Sequence, residues 1–303
     1  MLFKHRGRSL SVFAPAKLNL FLEILGKRAD GFHELETLMV SVGLYDTLFF
    51  TEGKIGETCL RCFHADSCRS AELNPAARLP ADNENLIVKA VNLLRSDVGI
   101  DRGIQITLIK RIPVASGLAG GSSDAAATLA GLNRFWDLGC SAGKLNRLAA
   151  KLGSDVGFFL SPEPVAVCRG RGERVEPICV ASKLWFVIVR PPSGLSTAAV
   201  FRRCRPVEHP LCVERILAPL LSGRLGEVGA SLHNSLQTTA EELNPQIAEL
   251  KERFSTQPFS GHRMTGSGTA YFGLCTSRRQ AEHIASRLRQ TQSGRVYVAG
   301  SGP

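Results

Sequence analysis

From Ser11 to Ile24 apolar and polar positions alternate, placing Leu18, Leu20 and Leu22 on one side and Lys17, Asn19 and Phe21 on the other, which predicts a strand. A turn is expected from Gly26 to His33, followed by strands over Glu36 to Leu44 and around Asp46 to Phe50. Gly53 to Pro80 carries a weak, cysteine-bearing pattern, consistent with a strand and a long surface insertion. Asp82, Asn83, Glu84 and Asn85 then cap a helix from Leu86 to Leu94, in which Leu86, Val88, Ala90, Val91 and Leu94 recur at helical spacing. Gly103 to Ile109 alternates again, an alanine-rich helix begins near Ala125, and Ser141 to Leu152 reads as another helix.

Beyond residue 160, short strands are expected around Gly170 and Gly172 between Ala166 and Ile178, and a buried strand from Lys183 to Val189. Helices are predicted from Ser193 through Phe201, from Leu211 to Leu232, from Glu241 to Arg253 and from Ser277 to Gln290. A tight glycine turn within Arg263 to Gly273 enters a strand, and a last strand covers Arg295 to Val298. This order predicts an α+β chain in two domains, 1–166 and 167–303, with the last strand free to return to the first.

Length and composition agree with that division, since 303 residues at 44% hydrophobic and 21% charged can build two cores. No apolar run approaches the ~20 residues of a membrane span, and Met1 to Arg8 lacks the apolar segment of a secretory signal. Nine cysteines, an odd number, suit reduced thiols, so a cytoplasmic protein without membrane association is expected. Cys59, Cys62, Cys68 and His64 invite a zinc reading, but no second paired-cysteine element answers them, and a thiol-bearing surface segment without metal is expected. The net charge of +10, concentrated at Lys4 to Arg8, Arg169 to Arg174 and Arg202 to Arg205, suits small polyanionic ligands such as nucleotides. It would also suit nucleic acid, but no recognisable module for that purpose is present, so a small-molecule partner is expected.

The chemistry concentrates in Pro113-Val114-Ala115-Ser116-Gly117-Leu118-Ala119-Gly120-Gly121-Ser122-Ser123-Asp124, a glycine loop feeding a helix N-terminus. Such a terminus has amides without intrahelical acceptors and a partial positive charge, and Ser122 or Ser123 can cap it or reach a phosphate. The spacing is neither that of the nucleotide P-loop nor that of the dinucleotide fingerprint, and a loop that merely turns is the plain alternative. Lys17, on an otherwise apolar strand, either faces anions in a cleft or faces water from an edge. Asp155, between a helix end and the apolar run Val156 to Phe159, is held near the core yet reachable, or simply caps a turn. Phe32 and His33 can form a flat, hydrogen-bonding shelf for a ring, or pack on the sheet.

Three separated stretches, Pro15-Ala16-Lys17-Leu18-Asn19-Leu20, Pro113 to Ala127 and Thr265-Gly266-Ser267-Gly268, together resemble the motifs of the GHMP kinases, the superfamily of galactokinase, homoserine kinase, mevalonate kinase and phosphomevalonate kinase. Arg28 to His33, Asn83 to Ile87 and Gly153 to Val156 narrow the resemblance to the branch whose acceptor is a cytidine-diphosphate-linked methylerythritol. The resemblance implies a two-domain α+β fold, with an N-terminal domain like ribosomal S5 domain 2 and a ferredoxin-like C-terminal domain. It implies ATP and Mg2+ as cofactors and transfer of the γ-phosphoryl group to the acceptor's 2-hydroxyl, in a monomer or homodimer.

On that resemblance Lys17 and Asp155 match the catalytic pair, with Asp155 accepting the hydroxyl proton and Lys17 keeping it ionised. Residues 113–123 match the ATP-phosphate loop, Asn19 is a neighbouring polar position, and Phe32 and His33 match the cytidine site. Ser196, Thr197, Gly266, Ser267 and Gly268 match substrate-side positions. Asp124 is the awkward residue: a carboxylate there suits the helix dipole but repels phosphate, so it is expected to point away or to face magnesium. The rival readings are a kinase of the same superfamily acting on mevalonate or homoserine, and a non-catalytic nucleotide- or RNA-binding protein.

Overall fold

A computed structural model describes residues 1–65 and 84–302. In chain order it contains β1 (Leu2–Arg6), β2 (Ser9–Lys27), β3 (His33–Glu52), β4 (Thr58–His64), α1 (Leu86–Val98), β5 (Ile104–Lys110), α2 (Gly120–Phe135) and α3 (Ala142–Leu152). After a 3-10 turn at Gly157–Leu160 come β6 (Val165–Gly170), β7 (Arg174–Ile178), β8 (Trp185–Arg190), α4 (Thr197–Arg203), α5 (Glu214–Leu221) and α6 (Leu225–Ala230). The chain closes with β9 (His233–Asn234), α7 (Gln237–Leu243), α8 (Pro245–Ser255), β10 (Gly261–Met264), β11 (Tyr271–Cys275), α9 (Arg278–Gln290) and β12 (Arg295–Gly300). Two compact units result, one of residues 1–16, 44–114 and 119–160, the other of residues 17–43, 115–118 and 161–303. The long strands β2 and β3 thus divide between the units, as does the glycine loop.

In the first unit β1 folds back on the start of β2, with Leu2 opposite Phe13 and Arg6 opposite Ser9, through a turn in which Gly7 takes φ +57°. The end of β3 pairs antiparallel with β5, Thr47 facing Ile109, and β5 pairs in parallel with β4, Leu60 beside Ile106. The core joins Leu10, Val12, Leu48, Phe50, Ile106 and Leu108 from strands to Val88, Val91, Leu94 and Leu129 from helices. Small residues on α2 make this approach close: a Cβ on Gly131 would meet the Phe50 ring at 3.0 Å.

In the second unit the start of β3 pairs with β6 and β6 with β7, both antiparallel, while β9 lies parallel to the end of β2. A separate antiparallel sheet runs β10-β11-β8-β12, with Phe272 opposite Ile188 and Ile188 opposite Tyr297. Its core brings Val187, Val189 and Tyr271 together with Leu250 and Phe254 of α8 and Ile284, Ala285 and Leu288 of α9. No described helix is long and apolar enough to cross a membrane.

Several boundaries differ from the sequence pattern. The two strands expected at Glu36 to Leu44 and Asp46 to Phe50 are one, because Gly43 sits inside a continuous strand without ending it. The helix expected from Leu211 to Leu232 is broken at Ser222 to Arg224, where Gly223 takes φ +69°. That expected from Glu241 to Arg253 is also two helices, since Pro245 lacks the amide to continue α7 and Asn244 caps α8 by accepting from Gln246 N–H. The cap of α1 is Asn85, whose side chain accepts from Ile87 N–H at 2.9 Å; Asp82 and Asn83 lie outside the described residues, as does Cys68.

Candidate active site

Lys17 is only 3% exposed, and an ammonium taken out of water needs oxygen around it. Its Nζ donates to Asn19 Oδ1 at 2.5 Å, so the lysine belongs to a buried network rather than to a water-facing edge. Asn19 is locked from three directions. Its amide N–H donates to Thr265 Oγ1 at 3.0 Å, the Thr265 hydroxyl donates to Asn19 Oδ1 at 3.2 Å, and Asn19 Nδ2 donates to Thr37 Oγ1 at 2.8 Å. The backbone of Lys17 donates to Leu118 O at 3.1 Å, and Ala270 N–H donates to Ser116 O at 2.9 Å. Three stretches far apart in sequence, residues 17–19, 116–118 and 265–270, therefore close on one another inside the second unit.

This contact explains two glycines. A Cβ on Gly117 would lie 2.2 Å from the Thr265 carbonyl oxygen, and one on Gly266 would lie 3.1 Å from Lys17 Nζ. Asn234, absent from the sequence reading, holds the glycine turn by donating from Nδ2 to the carbonyls of Met264 and Gly266 at 2.8 and 2.9 Å. It follows the run expected to be helix, between His233 and Ser235, and nothing in its spacing marks it out. Ser196 caps α4 by accepting from Ala199 N–H, Thr197 and Ser267 share a hydroxyl hydrogen bond of 2.8 Å, and Gly268 takes φ +86°.

The turn before β3 is built by Arg28, which pairs with Asp30 at 3.1 Å and Glu34 at 2.5 Å, while Arg28 N–H donates to Phe32 O. It leaves Phe32 50% exposed, with the Arg171 guanidinium 4.9 Å from its ring centroid. His33 lies against the Phe201 ring, centroids 5.4 Å apart. Burial, aided by the Lys27 ammonium, holds the His33 imidazole below its ordinary pKa, so it is neutral at pH 7. Phe201 and Arg171 extend the expected pair; both sat in segments read from sequence only as helix and charge cluster.

The glycine loop leads into α2 of the first unit. Ala115, Gly117 and Ala119 take positive φ of +52°, +78° and +56°, and Ser116 and Leu118 between them do not. The N-cap of α2 is Ala119, without a side-chain cap, so neither Ser122 nor Ser123 plays the capping role expected of it. Ser123 Oγ is buried without a hydrogen-bond partner at the start of the helix. Pro113 is partly buried, while Val114 is exposed.

Asp124 is turned away from solvent, 3% exposed, and its Oδ2 accepts from Lys110 Nζ at 2.7 Å. Lys110 also donates to Asp46 Oδ2, and Asp46 Oδ1 accepts from the N–H groups of Arg111 and Ile112 at 2.5 and 2.8 Å. Burial pushes the Asp124 carboxyl up to about 7, Lys110 pulling against it and Asp46 adding to it. Asp155 is partly exposed in the turn between α3 and the 3-10 segment, where buried Val156, Phe158 and Phe159 hold it in place. Among the described residues one His/Cys/carboxylate cluster forms, Glu36 with Cys212 and Glu214, and Arg169 already pairs with both of its glutamates, at 2.8 and 3.9 Å.

Comparison with known proteins agrees with this geometry. The family descriptions "GHMP kinases N terminal domain" and "GHMP kinases C terminal" match residues 85–162 and 216–294. A 4-diphosphocytidyl-2-C-methyl-D-erythritol kinase of Pelotomaculum thermopropionicum is 39% identical over 284 residues, covering 93% of this chain and 94% of that protein. The enzyme of the same name from Moorella thermoacetica is 39% identical over 287 residues, covering 93% and 95%. A crystal structure of 4-(cytidine 5'-diphospho)-2C-methyl-D-erythritol kinase superposes with a TM-score of 0.77 at 33% identity, covering 97% of this chain and 99% of that one. A homoserine kinase from Cytophaga hutchinsonii, at 21% identity, shares the fold with a TM-score of 0.77 over 100% of this chain and 97% of its own. By sequence and fold, the chain belongs to the 4-diphosphocytidyl-2-C-methyl-D-erythritol kinase family of the GHMP kinases.

Proposed function

We propose that this chain transfers the γ-phosphoryl group of ATP to the 2-hydroxyl of 4-diphosphocytidyl-2-C-methyl-D-erythritol, a step of the non-mevalonate route to isoprenoid precursors, releasing the 2-phosphate and ADP. The observation that carries this reading is the closure of Lys17 and Asn19, the loop at Ser116 to Leu118 and the turn at Thr265 to Ala270 onto one another. Phosphoryl transfer asks a protein for position and charge rather than for covalent chemistry. The alternating backbone of residues 115–119 and the uncapped start of α2 supply amides for phosphate oxygens. Asp155 accepts the proton of the attacking hydroxyl, and Lys17, aimed by Asn19, steadies charge on the moving phosphoryl group.

The acceptor's base fits His33 and its neighbours. A neutral imidazole has one donor and one acceptor nitrogen, which suits the amino and ring-nitrogen edge of cytosine, while Phe32 and Phe201 offer faces for stacking. Thr197, Ser267 and the Gly266 and Gly268 backbone are assigned to the acceptor side. The division into an ATP-binding part, 1–166, and a substrate-side part, 167–303, is proposed on the same grounds.

Magnesium takes one or two protein oxygens and leaves the rest of its shell to phosphate and water. The orphaned Ser123 Oγ, with Ser122 beside it, fits that demand, and so does Asp124 Oδ1, which has no hydrogen-bond partner while Oδ2 is engaged by Lys110. When bound with ATP the ion neutralises charge on the β- and γ-phosphates. In a direct test, Asp155→Asn lowers kcat by about 10²-fold or more, the range lost with a general base, while ATP binding measured by calorimetry stays near wild type. Undiminished turnover in that variant would remove Asp155 from the mechanism.

A further inference from the structure

Lys110 ends β5, three residues before the glycine loop begins at Pro113. Its side chain is 4% exposed, and both of its carboxylate partners, Asp46 and Asp124, are buried as well. A buried lysine bridging two carboxylates is costly to desolvate and strongly destabilising to break from one side, so retaining it implies a gain in geometry. The geometry is specific. Asp46 Oδ1 grips the amides of Arg111 and Ile112, the last residues before the loop, while Asp124 lies on α2, four residues after its start at Gly120. Lys110 joins these two carboxylates and thereby joins the entry of the loop to its exit.

The ammonium also reaches the first residue of the helix. A Cβ on Gly120 would stand 2.8 Å from Lys110 Nζ and 3.0 Å from Ile112 Cγ2, so the helix start rests directly on this cluster and only glycine fits there without displacement.

We infer that Lys110 is a positioning residue of the phosphate loop: with Asp46 and Asp124 it clamps both ends of residues 113–119, so that the amides at the start of α2 are held ready for the nucleotide's phosphates. Lys110 touches no substrate in this scheme and acts through the backbone it fixes. The inference rests on the phosphoryl-transfer reading above for the identity of the ligand, though not for the clamp itself.

Two variants and two readouts test it. In Lys110→Met, ATP affinity by calorimetry falls about tenfold or more, in keeping with the sensitivity of such sites to small misplacement, while the KM of the cytidine-bearing acceptor stays within about twofold of wild type. In the ligand-free variant, amide exchange at residues 111–123 quickens about tenfold while that of α9 is unchanged. If Lys110→Met does not fold, Asp46→Asn decides: its amide oxygen still accepts from Arg111 and Ile112, but its NH2 group cannot accept from Lys110, and the same two changes are expected. Wild-type ATP affinity in a folded variant, with or without faster exchange, overturns the inference. A wild-type chain that binds no ATP would sink the kinase reading instead, and the exchange measurement would still decide the clamp.

Discussion

Among the described residues Lys17 and Lys110 lie buried in strands. Lys17 donates to the neutral amide oxygen of Asn19, which aims it, whereas Lys110 sits between the carboxylates of Asp46 and Asp124. Lys17 was legible in the sequence because it interrupts apolar residues on a strand that could hardly bury it alone. Lys110 was not, since at a strand end beside Arg111 it reads as an ordinary surface cation, and its partners are 64 and 14 residues away. Asp124 gives Oδ2 to Lys110 and leaves Oδ1 buried without a hydrogen-bond partner. Its raised pKa has a measurable consequence. Because the folded carboxyl titrates near 7 and the unfolded one near 4, its contribution to stability is present below about pH 4 and lost as pH rises through 7. Urea unfolding between pH 5 and 8 should show this decline, and Asp124→Asn should flatten it; equal slopes in the two proteins would refute the assignment.

At the scale of elements, strands and capped helices were the readable parts, and interruptions were misjudged. Ser141 and Ser277 cap their helices as their sequence positions indicate, whereas the helix expected from Ser193 begins only after Ser196, which caps it. By contrast, the hairpin of β1 and β2 was hidden because Lys4 to Arg8 reads as a charge cluster, although Gly7 makes a turn within it. The loop itself was recognised by its glycines, yet the reason for one of them lies outside the loop. Gly117 is required both by its φ of +78° and by the Thr265 carbonyl, which stands 2.2 Å from where a Cβ would be. Gly117→Ala should therefore cost about 1–3 kcal/mol of strain and weaken ATP binding measured by calorimetry. An alanine variant with wild-type stability and affinity would mean that the contact with residues 265–268 is not needed.

At the scale of the molecule, the chain has the two-domain α+β organisation expected of a GHMP kinase, with an antiparallel four-stranded sheet under helices in its second unit. Which residues share a unit was not readable from linear order, because β2, β3 and the glycine loop each pass between units. The residues 17–19, 116–118 and 265–270 could be grouped from sequence only by resemblance; the hydrogen bonds among them supply the physical reason. Phe201 escaped notice for the same cause, its relation to His33 being tertiary. On the proposed function Phe32, His33 and Phe201 receive the cytosine ring, which mevalonate and homoserine lack. The most direct measurement is ADP release by the purified chain with ATP, magnesium and each of three acceptors in turn: 4-diphosphocytidyl-2-C-methyl-D-erythritol, mevalonate and homoserine. Turnover is expected with the cytidine-bearing acceptor at a kcat/KM at least about 10²-fold above the others, the scale on which a site built to hydrogen-bond a group rejects a compound lacking it; preference for mevalonate or homoserine, or no turnover with any of the three, would overturn the proposed function.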